Sequence, residues 1–231
     1  MRRKVIPELL DTDLGALEEV TASLADLRRV SDWFGGTATT VSRLRRVADE
    51  CNRPHLSVLE VAAGDGALPV AAKRRLAQQG ITLELTLMDR MPSHLNAATA
   101  RKVCGDALQL PFRDSSFDVV SCSLLAHHLE PSELQKFALE GLRVSRRAVL
   151  INDLIRNPIH LGLVYAGMPL FRSRLTRHDA PASVRRAYTV SEMRHMLRDI
   201  SGARVEISQH YLYRMGVLLW KERFAHQAAN C

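Results

Sequence analysis

Val58-Leu59-Glu60-Val61-Ala62-Ala63-Gly64-Asp65-Gly66 is a short apolar run that closes on an acid and turns through glycines. The apolar run predicts a buried strand. The glycines that follow let ligand atoms approach the backbone closely, and the amides of a following helix would face them. Dinucleotide-binding folds use similar turns, but their G-x-G-x-x-G pattern read from Gly64 needs a glycine where Pro69 stands. Glu60 at the strand end would also repel a pyrophosphate. A ligand with cationic character suits this turn better.

Outward from that stretch, strand and helix patterns alternate. A helix pattern runs from Pro69 to Gln79. Leu83 to Met88 reads as a second strand ending in Asp89, with a helix from Ser93 onward. Lys102-Val103 is a short edge-like strand, Phe117 to Ser123 a fourth strand, Ser132 to Arg143 a helix with Pro131 and Glu133 in its first turn, and Ala148 to Asn152 a fifth strand. This order predicts an α/β fold, a Rossmann-like, doubly wound and mostly parallel sheet. Residues 1–50 read as an N-terminal helical cap. Amphipathic runs from Glu18 to Val30 and Val41 to Val47 flank the hinge Trp33-Phe34-Gly35-Gly36-Thr37. Residues 51–231 then form the main domain, with an insertion at 156–190 covering the substrate. In the last third, an apolar segment (159–171) leads to an arginine-rich loop (172–186) and a helix near Ser191. Two runs, Arg204 to Ser208 and Tyr213 to Trp220, are expected to form an antiparallel hairpin at one sheet edge.

With 231 residues, 46% of them apolar and 25% charged, the chain suits one sizeable soluble core. No secretory signal is read, because Ile6-Pro7-Glu8 interrupts what would be its apolar region. The 159–171 stretch contains His160, Gly162, Gly167 and Pro169 and falls short of the roughly 20 apolar residues that cross a bilayer. A cytoplasmic protein without a transmembrane segment is expected, with transient membrane contact through that stretch left open. Cys51, Cys104, Cys122 and Cys231 have no CxxC spacing, so neither a disulfide framework nor a metal is expected. The net charge of +7 is spread over short arginine clusters with no interleaved aromatic platform, so no nucleic-acid partner is expected. A monomer and a homodimer are both open.

The opening stretch resembles motif I of class I S-adenosylmethionine (SAM)-dependent methyltransferases, usually E/D-x-G-x-G-x-G. The likeness continues through Asp89, Gly105-Asp106-Ala107, and Leu110-Pro111-Phe112 leading into Phe117-Asp118-Val119-Val120. This order over about residues 55–155 is similar to the methyltransferases of ubiquinone and menaquinone biosynthesis and related small-molecule enzymes. The resemblance implies SAM as cofactor. Glu60, Gly64 and Gly66 would cradle its amino acid part, and Asp89 would take the ribose hydroxyls. Arg90 and Met91 follow in the same site, Met91 against the adenine. Asp106 after Gly105 would accept from the adenine amino group beside the Ala107 amide, and Ser123 would lie by the methionine moiety. Ala62 departs from the pattern, standing where the family usually has its first glycine.

Ala126-His127-His128-Leu129 follows the fourth strand, where an acceptor should meet the methyl group. Imidazole is suited to removing a proton near neutral pH. One of the two histidines is expected to be the base, with His128 favoured, and the other to bond backbone. No Asn/Asp-Pro-Pro-Tyr/Phe element follows that strand, which points to O- or C-methylation or a small-molecule amine. Asp153 either touches the substrate or caps a helix or pairs with Arg156. Tyr165 and Met168 on the apolar stripe, with Arg172 beyond it, would wall the acceptor pocket, and Trp33 and Phe34 would close its other side. The expected function is methyl transfer to oxygen or carbon of a small phenolic, quinone-like or polyketide-type acceptor. Competing readings are a methyltransferase for RNA or a protein side chain, and a SAM-binding protein without turnover.

Overall fold

Val58 to Val61 are buried on both faces of a central strand, the mark of a parallel sheet covered on two sides. The computed structural model describes residues 1–12, 16–92, 95 and 100–222. Its strands are β1 (His55–Val61), β2 (Thr82–Asp89), β3 (Arg101–Cys104), β4 (Phe117–Ser123), β5 (Ser145–Leu154), β6 (Ala203–His210) and β7 (Arg214–Lys221). They form one seven-stranded sheet in the order β3-β2-β1-β4-β5-β7-β6. β1 to β5 pair in parallel, while β7 runs antiparallel between β5 and β6.

Eight-to-seventeen-residue helices cover both faces: α1 (Leu17–Trp33), α2 (Gly36–Glu50), α3 (Ala67–Ala77), α4 (Pro131–Val144), α5 (Pro158–Ala166), α6 (Arg174–Arg186) and α7 (Val190–Leu197). Leu44, Val47 and Ala48 of α2 and Leu76 of α3 pack on one face, against Val58, Leu83, Leu150 and Trp220. Phe137 and Leu142 of α4 and Met193 and Leu197 of α7 pack on the other, against Leu59, Val120, Val149 and Val217. The expected doubly wound fold is present. The N-terminal segment expected as a cap divides its work: α2 shares the sheet's core, and its start is stitched to β5 by Asn152 Nδ2, which donates to Gly36 O and Thr40 Oγ1 at 2.8 Å each.

One local reading changes. The arginine-rich segment read as a loop is helical from Arg174. Ser173 caps it by accepting from Leu175 N at 3.1 Å, and Leu175, Ala182 and Val184 bury its inner face, so tertiary packing overrides the interior Pro181. The expected antiparallel hairpin stands at the sheet edge, with β6 outermost and β7 between it and β5. The helix expected from Ser93 lies outside the described residues, as does Cys231.

α1 and α6 roof the sheet's carboxyl edge. Asp26 of α1 is buried and its Oδ2 accepts from Arg172 N and Ser173 N at 2.9 Å each, tying the start of α6 to α1. Asp179 of α6 in turn accepts from Leu9 N and Leu10 N at 2.8 and 3.0 Å. The N-terminal segment is thereby drawn along α6 to the rim of the sheet. Among the described residues no helix is long and apolar enough to cross a membrane.

Candidate active site

The chain leaves β1 and β4 in opposite directions along the sheet, and ligands of open α/β sheets bind beyond the strand ends at such a switch point. After Val61 the backbone turns sharply, with Ala62 and Gly64 both at φ +54°. The left-handed conformation costs a non-glycine residue on the order of 1 kcal/mol, so Ala62 holds strain where glycine would hold none. At Gly64 an added Cβ would meet nothing within 4 Å, so the space over this turn is open. Asp89, at the end of β2, fixes the loop: its Oδ2 accepts from Gly64 N at 2.8 Å and its Oδ1 from Met91 N at 2.9 Å. Gly66, at φ +73°, then sits before the first residue of α3.

A cavity of about 630 Å³ opens over these loops, within the usual range of ligand pockets. Glu60, Ala62, Gly64, Asp89, Arg90, Met91, Gly105, Asp106, Ala107 and Ser123 line one end. Glu60 is fully buried. Burial raises its carboxyl to about 7, against the opposing pull of the Ser121 and Ser123 hydroxyls. A cationic ligand would relieve that cost. The Asp106 carboxylate is exposed and accepts from Leu108 N at 2.8 Å. Asp65 accepts from Arg28 of α1 at 2.7 Å, so the roof reaches the glycine turn.

The other end is more apolar. Trp33, Phe34, Leu154, Leu163, Val164 and Phe171 line it, together with His127, His128 and Arg214. The two adjacent histidines differ. His127 is 2% exposed; its Nδ1 donates to Asp153 Oδ1 at 2.7 Å and its backbone N to Asp153 Oδ2 at 3.0 Å. Burial alone would lower the imidazole pKa, but the Asp153 charge and hydrogen bond, with Glu8 behind them, raise it to about 10. A group that holds its proton so firmly is a poor base at neutral pH. His128 is more open; its Nδ1 donates to Asp11 Oδ2 at 2.9 Å, which turns Nε2 toward Glu8.

Several residues expected at the site stand elsewhere. Asp153 is not on the cavity wall, because both its oxygens face inward to His127 and to Leu154 N. Tyr165 and Met168 also miss the wall: α5 turns His160, Leu163 and Val164 to it instead, and the Tyr165 hydroxyl accepts from Arg185 at 2.7 Å. Arg172 points to solvent while its backbone N binds Asp26. Gly66 lies off the main cavity, behind the turn. Conversely, Glu8, Asp11 and Arg214 reach the wall unannounced by any motif. The one trace of Arg214 in the sequence is a charge opening an otherwise apolar strand.

Residues 59–150 match a family model described as a methyltransferase domain. The fold is similar to that of the plantazolicin methyltransferase BamL, in complex with a triazolic desmethylPZN analog and SAH, at TM-score 0.68 and 15% identity over 93% of this chain and 94% of that one. Human N-acetylserotonin methyltransferase in complex with SAM is similar at TM-score 0.63 and 14% identity, over 96% of this chain and 63% of that one. A SAM-dependent methyltransferase from Aquifex aeolicus is similar at TM-score 0.51 and 17% identity, over 72% and 82%. No curated protein matches the chain by sequence. The sheet order, with the cavity at the switch point, is that of the class I methyltransferase fold. Residues 59–150 thus carry a methyltransferase domain, and the buried Glu60 and the open Gly64 turn fit SAM as its cofactor.

Proposed function

We propose that the protein methylates an oxygen or carbon of a small phenolic, quinone-like or polyketide-type acceptor that carries an anionic group. The observation supporting this reading is Arg214. It is 1% exposed, lies on the wall at the apolar end, and its Nε, Nη1 and Nη2 have no hydrogen-bond partner among the described residues. Register places it opposite Leu154, at the carboxyl end of β5. Burial lowers its pKa to about 10, and Asp153, the acid that acts on it, has both oxygens committed elsewhere. An uncompensated buried cation is costly unless a partner arrives. A carboxylate or similar anion on the acceptor would be that partner, through paired charge-assisted hydrogen bonds.

SAM, when bound, supplies a methyl group on a cationic sulfonium. The chain's own task is to hold the acceptor in line and dry, which accounts for much of such catalysis. Leu163, Val164 and Phe171 exclude water, Arg214 fixes the anionic end, and His128 lines the same end of the cavity with its Nδ1 held by Asp11. The test is methyl transfer from labelled SAM to matched phenols with and without a carboxylate, by wild type and Arg214→Met. Loss of a charge-assisted pair predicts a roughly 10- to 100-fold fall in kcat/KM for the anionic acceptors alone. Equal losses for neutral and anionic acceptors would refute the role of Arg214.

A further inference from the structure

Beside the acceptor end, Glu8 of the N-terminal segment converges on the adjacent His127 and His128. Glu8 Oε1 lies 3.4 Å from His127 Nε2 and 3.7 Å from His128 Nε2. One ligand atom from each of the three residues falls within 4.8 Å of the others. We propose that Glu8, His127 and His128 form a binding site for a divalent transition-metal ion, with zinc as the type, open on one side to the acceptor end of the cavity.

The separations suit an ion. A tetrahedral metal with ligands at about 2.1 Å holds its ligand atoms about 3.4 Å apart. A contact of 3.4 Å is by contrast long for a hydrogen bond, and among the described residues His127 Nε2 is a fully buried nitrogen without a hydrogen-bond partner. An ion about 2.1 Å from each atom would sit to one side of the line joining Nε2 to the Glu8 carboxylate.

The surroundings match what metal-binding histidines require. Such a histidine almost always gives its second ring N–H to a carboxylate or carbonyl, which sets the tautomer and orients the ring. Both do so here, Nδ1 of His127 to Asp153 at 2.7 Å and Nδ1 of His128 to Asp11 at 2.9 Å. Both rings therefore turn Nε2 to the same oxygen. Glu8 is itself oriented, its Oε1 accepting from Ser183 Oγ at 2.8 Å. Arg186 stands behind the cluster and is engaged outside it, on His128 O at 2.6 Å and near Asp11 at 3.8 Å. Two imidazoles and one carboxylate suit zinc or ferrous iron rather than magnesium or calcium, and three protein ligands leave a position for substrate.

All three residues line the cavity, so that position faces the acceptor. A hydroxyl bound there would lose its proton to water more readily, since the ion stabilises the oxyanion. Metal binding itself does not depend on the acceptor chemistry argued above.

Protein stripped with a chelator and titrated with Zn²⁺ or Co²⁺ tests the site by calorimetry and by the visible absorption of bound cobalt. One ion per chain is expected in wild type, with affinity falling at least tenfold in Glu8→Gln and in His128→Asn. SAM-induced thermal stabilisation, measured on each variant without metal, shows that it is folded and still binds cofactor. Failure of that stabilisation in wild type would count against the cofactor reading and leave the metal result standing. No ion bound by wild type, or equal binding by the folded variants, would overturn the site and leave the cluster a charge network only.

Discussion

Replacing Glu60 with glutamine should stabilise the SAM-free protein at alkaline pH while weakening cofactor binding. Glu60 is fully buried and its carboxyl is raised from 4.5 to about 7 by burial. The folded state therefore holds the proton more tightly than the unfolded chain. Between those two values the native form binds more protons, so stability falls as pH rises, and above about 7 the whole penalty applies. Raising the carboxyl from 4.5 to about 7 corresponds to about 3 kcal/mol. Glutamine keeps the shape but does not titrate. Urea unfolding of both proteins at pH 4.5 and pH 8, without SAM, would show the difference. Glu60→Gln should gain about 3 kcal/mol relative to wild type between those conditions. Calorimetry at pH 8 should show its affinity for SAM lowered, because the carboxylate that meets the ligand's positive charge is gone. A pH-independent stability difference would refute the buried-carboxylate reasoning. Unchanged affinity would remove Glu60 from the cofactor site.

Gly64→Ala tests the turn itself. The new Cβ meets no protein atom, but it stands in the open space over the loop at φ +54°. SAM affinity should fall at least tenfold, with roughly 1 kcal/mol lost in stability, as titration and urea unfolding would report. Gly141→Ala tests the packing of α4 on the sheet. Its Cβ would stand 2.8 Å from Val149 Cγ2, which predicts roughly 1–3 kcal/mol of destabilisation. Scanning calorimetry should show Tm falling by roughly 2–4 °C for each kcal/mol. An unchanged Tm would mean that this helix has room the structure does not show.

Periodicity and turn chemistry made the parallel half of the sheet legible. Val58 to Val61, Leu83 to Met88 and Phe117 to Ser123 are short apolar runs closed by Glu, Asp or Ser, and each became a strand whose end lines the cavity. Such patterns are local, so the chain order carries them. The cofactor end was read the same way, since its residues follow directly on strand ends. The acceptor end was less legible. α5 turns Leu163 and Val164 to the cavity where Tyr165 and Met168 were expected, because periodicity sets a helix's apolar stripe without saying which part of it meets a ligand.

Tertiary structure alone decided the rest. α6 is helical because Leu175, Ala182 and Val184 find a core to bury in and Asp26 holds its start, against an arginine-rich composition and an interior proline. β7 lies inside the sheet because β5 offers it an antiparallel partner, and that pairing sets Arg214 opposite Leu154 within the cavity wall. Glu8 meets the two histidines because Asp179 draws the N-terminal segment along α6. The sequence by itself determined which segments become strands and where a cationic cofactor would sit, through information held within a few residues. Which side chains surround the acceptor depended on contacts between distant segments, which no local pattern encodes.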